Sequence, residues 1–230
     1  GATYYLGEEG DGVRKTGWVE LENEDEDLDQ DSVWHFFDNN GRMVVNQIDR
    51  KINGSYYTFQ NGILQTGWFR LPESADSAAN ADPAAGNANA EISADADAGN
   101  ATASNADTAS NENNSGSAAT QAAPAIASYQ FYEENGKRGN GWYQMEGAPE
   151  ISEDGETFIF YIKNGRPYYA ANGVQVFTVD GKRFGFNERG ELQTGLQSVI
   201  TEDGQTANYY FGDDGVMKTG KQTIYDEDLG

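Results

Sequence analysis

The chain has no cysteine, one histidine and no long apolar run, and each absence removes a class of chemistry. Without cysteine there is neither a disulfide framework nor a thiolate metal site, and the redox compartment stays undecided. His35 alone cannot build an imidazole cluster for zinc or complete a Ser-His-Asp arrangement. No stretch approaches the roughly 18 apolar residues of a membrane span, so membrane insertion is not expected. Positive charge is also scarce: 15 Lys and Arg stand against 38 Asp and Glu, a formal net charge of −23. That balance opposes nucleic acid and anionic membrane surfaces as partners and leaves basic ligands or neutral glycans open. Acidic residues are plentiful, yet none sits where a desolvated acid would face a base, so a glycosidase pair is missing. The chain is read as a non-enzyme with no catalytic residue, no metal site and no cofactor. Asp25, Asp27, Asp29 and Asp31 have the look of a calcium loop. Gln30 stands where an EF-hand needs Gly and Phe36 where it needs Glu, which makes a solvated acidic loop the expectation.

What is present is a repeat. A short aromatic strand, a polar turn holding Gly and a hydrophobic step recur seven times, beginning near Thr3, Trp34, Tyr56, Tyr129, Phe158, Arg183 and Asn208. The residues six after each turn glycine are Trp18, Gln47, Trp68, Trp142, Ala171, Leu196 and Lys221. Their separations are repeat-sized except between Trp68 and Trp142, where a low-complexity segment intervenes. That segment, 72–127, has no aromatic residue and no Lys or Arg; all 28 aromatics (4 Trp, 13 Tyr, 11 Phe) fall outside it. Too little apolar surface is left there to offset the entropy of ordering, so it is expected to be disordered.

Turn chemistry predicts that each repeat is a β-hairpin. Asn53-Gly54, Asp154-Gly155, Asp180-Gly181 and Asp203-Gly204 lie between hydrophobic runs in the manner of tight hairpin turns. By that register the 72–127 insert grows from the tip of one hairpin, and the acidic stretch 22–31 from the tip of another, where extra length is tolerated. The fold expected is all-β, with hairpin repeats in 1–71 and 128–230 forming one stack. The chain begins inside a repeat and is read as a piece of a longer protein.

The Thr-Gly-Trp runs at Trp18 and Trp68, Asn-Gly-Trp at Trp142 and the WHFF, YYTF and NYYF strands resemble the cell-wall-binding repeats of Gram-positive surface proteins. That group includes choline-binding and glucan-binding modules. The resemblance implies a β-solenoid of stacked hairpins at a bacterial surface, extracellular and wall-associated, with ligand sites between successive hairpins. It also implies aromatic cages: Trp18 with Trp34 and Tyr57, Trp68 with Tyr129, and Trp142 with Phe158. Such rings attract a quaternary ammonium by cation–π forces, and a sugar ring stacks on an indole equally well. The partner implied is a wall polymer, either a choline-bearing teichoic acid or a neutral glycan.

Aromatics in short strands are also the ordinary core of a hairpin, and Phe36, Phe131, Phe160, Phe186, Tyr210 and Phe211 are assigned to it. A Trp can staple one hairpin to the next instead of binding a ligand. Two functions therefore stand side by side: a non-catalytic attachment module, or a spacer or host-interaction module that kept the fold and lost most sites. Oligomeric state is undetermined.

Overall fold

The computed structural model describes residues 1–24, 28, 30–72, 123–152, 155–201 and 203–224. The calcium-like aspartates at 25, 27 and 29, Asp154, and 73–122 of the insert lie outside the described residues. Among the described residues the fold is all-β, with one turn of 3-10 helix at Ala125–Ser128.

The strands form six small antiparallel sheets, each built on one hairpin. Hairpin one pairs β1 (Gly17–Glu22) with β2 (Ser32–Phe37). Hairpin two pairs β3 (Gln47–Ile52) with β4 (Ser55–Gln60), and β4 takes a two-residue third strand, β5 (Ile63–Leu64). Hairpin three pairs β6 (Gly67–Arg70) with β7 (Tyr129–Tyr132). Hairpin four joins β8 (Gly141–Glu146) to β9 (Thr157–Lys163), flanked by β10 (Arg166–Pro167). Hairpin five joins β11 (Val174–Val179) to β12 (Lys182–Asn187), flanked by β13 (Leu192–Gln193). Hairpin six is β14 (Gly195–Ile200) with β15 (Thr206–Phe211). The first repeat copy makes no hairpin; its Thr3 carbonyl accepts from the Met43 amide and its Tyr5 ring packs on Phe37.

One position in every hairpin is sealed. Phe37, Phe59, Tyr132, Ile162, Phe186 and Phe211 occupy it, none more than 1% exposed. Opposite it in hairpins one, three, four and six stands the Gly of the Thr-Gly or Asn-Gly step, at φ between 68° and 115°. The strand bends there through a conformation that side chains rarely adopt, which is why Gly precedes the anchor. Side chains alternate across a strand, so each hairpin has two faces. The sealed residue and the one two before it look toward the preceding hairpin; the residues one and three before it share a face with the anchor and look toward the next.

Two of the counted anchors slip against this register. Ala171 lies outside any strand, and Val176, opposite Gly185, takes the anchor place in hairpin five. In hairpin two, Gln47 pairs with Phe59, and a bulge sets both Ile48 and Asp49 against Thr58. The C-terminal end of the supposed insert also folds: Ile126 is fully buried, and Arg166 donates to the Ala127 carbonyl at 2.7 Å. Residues 123–127 belong to hairpin three rather than to the low-complexity segment.

Phe186→Ala is expected to cost about 3–5 kcal/mol in urea unfolding. Trp34→Ala, at a side chain 43% exposed, is expected to cost about 1 kcal/mol or less.

Candidate functional site

The three anchor tryptophans make the same contacts. Trp18 meets Phe36 of its own hairpin at 5.0 Å between ring centroids and Tyr57 of the next at 4.9 Å. Trp142 meets Tyr161 at 4.9 Å and Phe184 of the next hairpin at 4.7 Å. Trp68 meets Phe131 at 5.4 Å and Phe160 of the next at 5.2 Å. The edge-on and tilted geometry is the favoured one for ring pairs, and each such pair contributes about 0.5–1.5 kcal/mol beyond its burial. Every anchor Trp is thus a staple between hairpins, and what distinguishes the junctions is whether a face of the indole stays open.

The Trp142 junction is open. Trp142 remains 40% exposed and borders a pocket of about 300 Å³ whose apolar walls are Phe184, Ile159, Leu192 and Val216. Lys182, Asp213 and Asp214 stand at its rim. Asp214 is paired with Lys218 at 3.1 Å, and that pairing lowers its carboxyl below the usual range. Three successive hairpins contribute. Phe158 does not: it pairs with Met145, packs beside Phe160 at 6.5 Å, and lies on the face that looks back toward hairpin three. Ile159, three residues before the sealed Ile162, holds the place that Trp34 holds three before Phe37 in hairpin one.

The Trp18 junction has the same residue positions, with Trp18 itself partly buried against Phe36, Tyr57 and Phe59. Trp34 pairs with Glu20, shares a face with Trp18 and is 43% exposed, as its counterpart Ile159 is 38% exposed. Tyr57 replaces Phe184, and Leu64 replaces Leu192. The sequence-derived trio Trp18, Trp34 and Tyr57 therefore lies on the walls of one junction.

The Trp68 junction is closed. The Trp68 indole N–H donates to the Glu146 carbonyl at 3.0 Å, and its ring packs against the cluster of Ile126, Tyr129 and Ala148 with Ile151 alongside. The long tip of hairpin four folds over it, held by Tyr129 Oη donating to the Pro149 carbonyl at 2.8 Å and by Arg70 paired with Glu150 at 3.0 Å. Tyr129, paired with Arg70 across the strands, is only 4% exposed. Sequence spacing placed Trp68 beside Tyr129 correctly, but nothing local could announce that residues 147–152 and 125–128 would cover both.

Two further junctions lack Trp altogether. At hairpin five Val176 packs with Val199, Phe211 and Met217, and a Cβ on Gly185 would stand 2.7 Å from Phe211 Cζ, so the ring fills the space itself. At hairpin two the anchor is Asp49, held at φ +53° in the bulge. Thr58, Gln130 and Tyr132 stand where Phe36, Tyr57 and Phe59 stand around Trp18. Tyr132 Oη lies 2.6 Å from Thr58 Oγ1, and its single proton faces both Gln130 Oε1 at 2.6 Å and Asp49 Oδ1 at 3.0 Å. Gln130 and Arg138 donate to Asp49 Oδ2 at 3.2 and 3.0 Å, and the Arg138 guanidinium lies 4.3 Å from the Tyr56 ring centroid. An aromatic junction has been exchanged whole for a hydrogen-bonded one, with every member satisfied.

Among the described residues no group of His, Asp and Glu is placed to hold a metal ion, and no helix is long and apolar enough to cross a membrane.

The chain is similar to choline-binding repeat proteins of known structure. It aligns with CbpF, solved with ipratropium, at 17% identity and TM-score 0.40 over 97% of this chain and 73% of that one. It aligns with the modular autolysin LytC of Streptococcus pneumoniae, solved with a synthetic peptidoglycan ligand, at 13% identity and TM-score 0.40 over 90% of this chain and 34% of that one. The choline-binding domain of CbpL from the same organism aligns at 18% identity and TM-score 0.18, over 90% of this chain and 100% of that one. No family model and no curated protein matches. At these TM-scores the superpositions decide nothing about a ligand, and the residues carry the argument.

Two measurements check this map. Acrylamide is expected to quench variants keeping only Trp34 or only Trp142 several-fold more efficiently than one keeping only Trp68. Burial, then the Asp49 carboxylate, raise the Tyr132 phenol above the ordinary tyrosine value. The fold holds its neutral form, so that contribution is complete below about pH 10 and is lost as pH rises toward the folded value. Unfolding free energy is expected to fall as pH rises above about 10. Tyr132→Phe, about 1–3 kcal/mol less stable at pH 8, is expected to show a shallower alkaline fall; an unchanged slope would assign the loss to other tyrosines.

Proposed function

We propose that this chain is a non-catalytic binding module that holds a parent protein on the bacterial envelope, its hairpins stacked as a β-solenoid with ligand pockets between them. The observation that carries the reading is the half-exposed Trp142 over a pocket whose walls come from three successive hairpins. An exposed indole backed by aromatic and aliphatic walls is costly to leave bare and suits a stacked ring or an organic cation. At the Trp18 junction the corresponding places are held by Trp34, Tyr57 and Leu64. The partner is a wall polymer, presented outside the cell as teichoic-acid choline or as glycan, and the chain's negative charge accommodates either. The sites named from the sequence narrow to Trp18, Trp34, Tyr57 and Trp142, joined by Phe184 and Ile159.

A second reading has its own support. Junctions two, three and five are filled by the protein's own side chains, so half or more of the array serves as scaffold. A spacer or host-interaction role follows if the remaining two junctions also bind nothing.

The deciding experiment is retention on purified Gram-positive cell walls, combined with tryptophan-fluorescence titration by choline and by wall glycan fragments. Trp18→Ala and Trp142→Ala are each expected to weaken wall retention at least tenfold, whereas Trp68→Phe leaves it near wild type. The attachment reading is lost if walls do not retain the protein and no ligand perturbs any indole.

A further inference from the structure

Two segments are each half of a hairpin. The Lys15 amide donates to the Tyr5 carbonyl at 2.8 Å, as the Lys218 amide donates to the Tyr210 carbonyl at 2.8 Å. The Thr3 carbonyl accepts from the Met43 amide at 2.8 Å, as the Arg183 carbonyl accepts from the Met217 amide at 2.8 Å. Tyr210 stands one residue before the sealed Phe211 and Arg183 three before the sealed Phe186. Both bonds therefore identify Leu6 as the sealed position of the first repeat copy, and residues 3–6 as a second strand. Among the described residues they have no first strand. Thr219-Gly220 repeats the Thr-Gly step that ends in Gly17, Gly67 and Gly195, and Gly220 has φ +72° where those three have 68° to 83°. Each of those three opens a first strand and stands opposite a sealed residue. Residues 220–224 have that opening and, among the described residues, no second strand.

Both halves leave apolar surface uncovered. Leu6 is 51% exposed where its six counterparts are sealed, and Tyr4, in the place of Tyr57 and Phe184, is 40% exposed. Both belong to the face that looks toward a preceding hairpin. Hairpin six holds Leu196 in the anchor place, 45% exposed, on the face that looks toward a following one. At the Trp18 and Trp142 junctions the anchor lies against the sealed residue of the next hairpin and the residue two before it: Phe59 with Tyr57, and Phe186 with Phe184. Leu196 is the anchor half of such a junction, and Leu6 with Tyr4 is the other half. Repeat stacks ordinarily close their ends with polar surface, whereas these two faces are apolar and complementary.

We propose that copies of this chain join end to end: residues 220–223 of one copy pair with residues 3–6 of another, completing a hairpin that seats on hairpin six of the first copy. The register opposes Gly220 to Leu6, Lys221 to Tyr5, Gln222 to Tyr4 and Thr223 to Thr3. Leu6 and Tyr4 then cover Leu196. Lys221 comes beside the Tyr5 ring, whose hydroxyl donates to Glu8 at 2.8 Å, and so meets both a ring face and a carboxylate. The two surfaces joined are different, so the contact is heterologous and does not close on two copies. Each copy carries a net charge of −23, which opposes association until salt screens it. The inference goes beyond the binding-module reading and holds whatever the Trp142 pocket takes.

Sedimentation velocity on the full chain, from micromolar to millimolar concentration in about 0.15 M and about 1 M NaCl, tests the proposal. The average mass is expected to rise with concentration past that of two copies, and further at the higher salt. Leu6→Glu and Leu196→Glu are each expected to weaken association at least tenfold while leaving the urea midpoint near wild type, because both side chains are exposed in the single copy. Tyr4→Ser gives a second variant at the Leu6 end should Leu6→Glu disturb folding. Each glutamate blocks one end only, so an equimolar mixture of the two variants is expected to form pairs and stop there. The proposal is overturned if the mass stays that of one copy at every concentration, if growth stops at two wild-type copies, if neither glutamate weakens it, or if the mixed variants do not pair.

Discussion

Everything in this protein depends on a sealed side chain from one hairpin meeting the anchor of the hairpin before it. A two-stranded hairpin cannot bury an apolar face by itself and is at best marginal in water. Trp18 lies against Phe59 at 5.8 Å and Trp142 against Phe186 at 6.0 Å, each closing a side of a cluster that its own hairpin leaves open. Stability is consequently a property of junctions. The pocket beside Trp142 is a by-product of the same contact: the indole that staples two hairpins covers the sealed residue with one surface and leaves the other free where nothing folds over it.

The division between structural and binding roles therefore runs through single side chains. Trp18, Trp68 and Trp142 pack almost identically on their two neighbours, and a difference elsewhere decides their use. At Trp68 the hairpin-four tip, with Ala148 and Ile151, occupies the space a ligand would take. At hairpin five a missing side chain, Gly185, lets Phe211 fill the gap. Identity of the anchor is necessary for a pocket, and the length of a neighbouring tip can cancel it.

Much of this was readable from residues whose chemistry is local. Asn53-Gly54 and Asp180-Gly181 mark hairpin tips because both residues there adopt positive φ. Trp18, Trp34 and Tyr57 were grouped by spacing, and the structure brings them to one junction. What spacing missed was set by register or by distant chain. Counting six residues from a turn glycine assumes a constant connection, which fails at Ala171 because hairpin five starts late. It fails at Gln47 because the connection from Gly41 is one residue longer and sets Gln47 opposite Phe59; the bulge then adds another residue before the anchor, Asp49, at positive φ with no glycine to announce it. Phe158 was chosen as the residue opening its strand, counted from Gly165; Ile162 stands three residues before that glycine where Phe37 stands four before Gly41, and the one-residue difference puts Phe158 on the other face. Phe184 stands two residues before Phe186 as Tyr57 stands two before Phe59, so the same spacing offered it, whereas Asp213 comes from the turn after hairpin six, beyond the reach of a local pattern.

The bulge at Asp49 also fixes the order of the array. Most repeats here are interchangeable in principle, because an aromatic or aliphatic anchor accepts an apolar neighbour. Asp49 accepts only hairpin three, whose Gln130 and Tyr132 receive its carboxylate together with Arg138. A recombination event that lost hairpin three would set Asp49 against Phe160 and Ile162, stranding a charge with no partner at a penalty of several kcal/mol. The junction thus acts as a punctuation mark in the repeat: units can be gained or lost on either side of it, but the pair it joins must be inherited together.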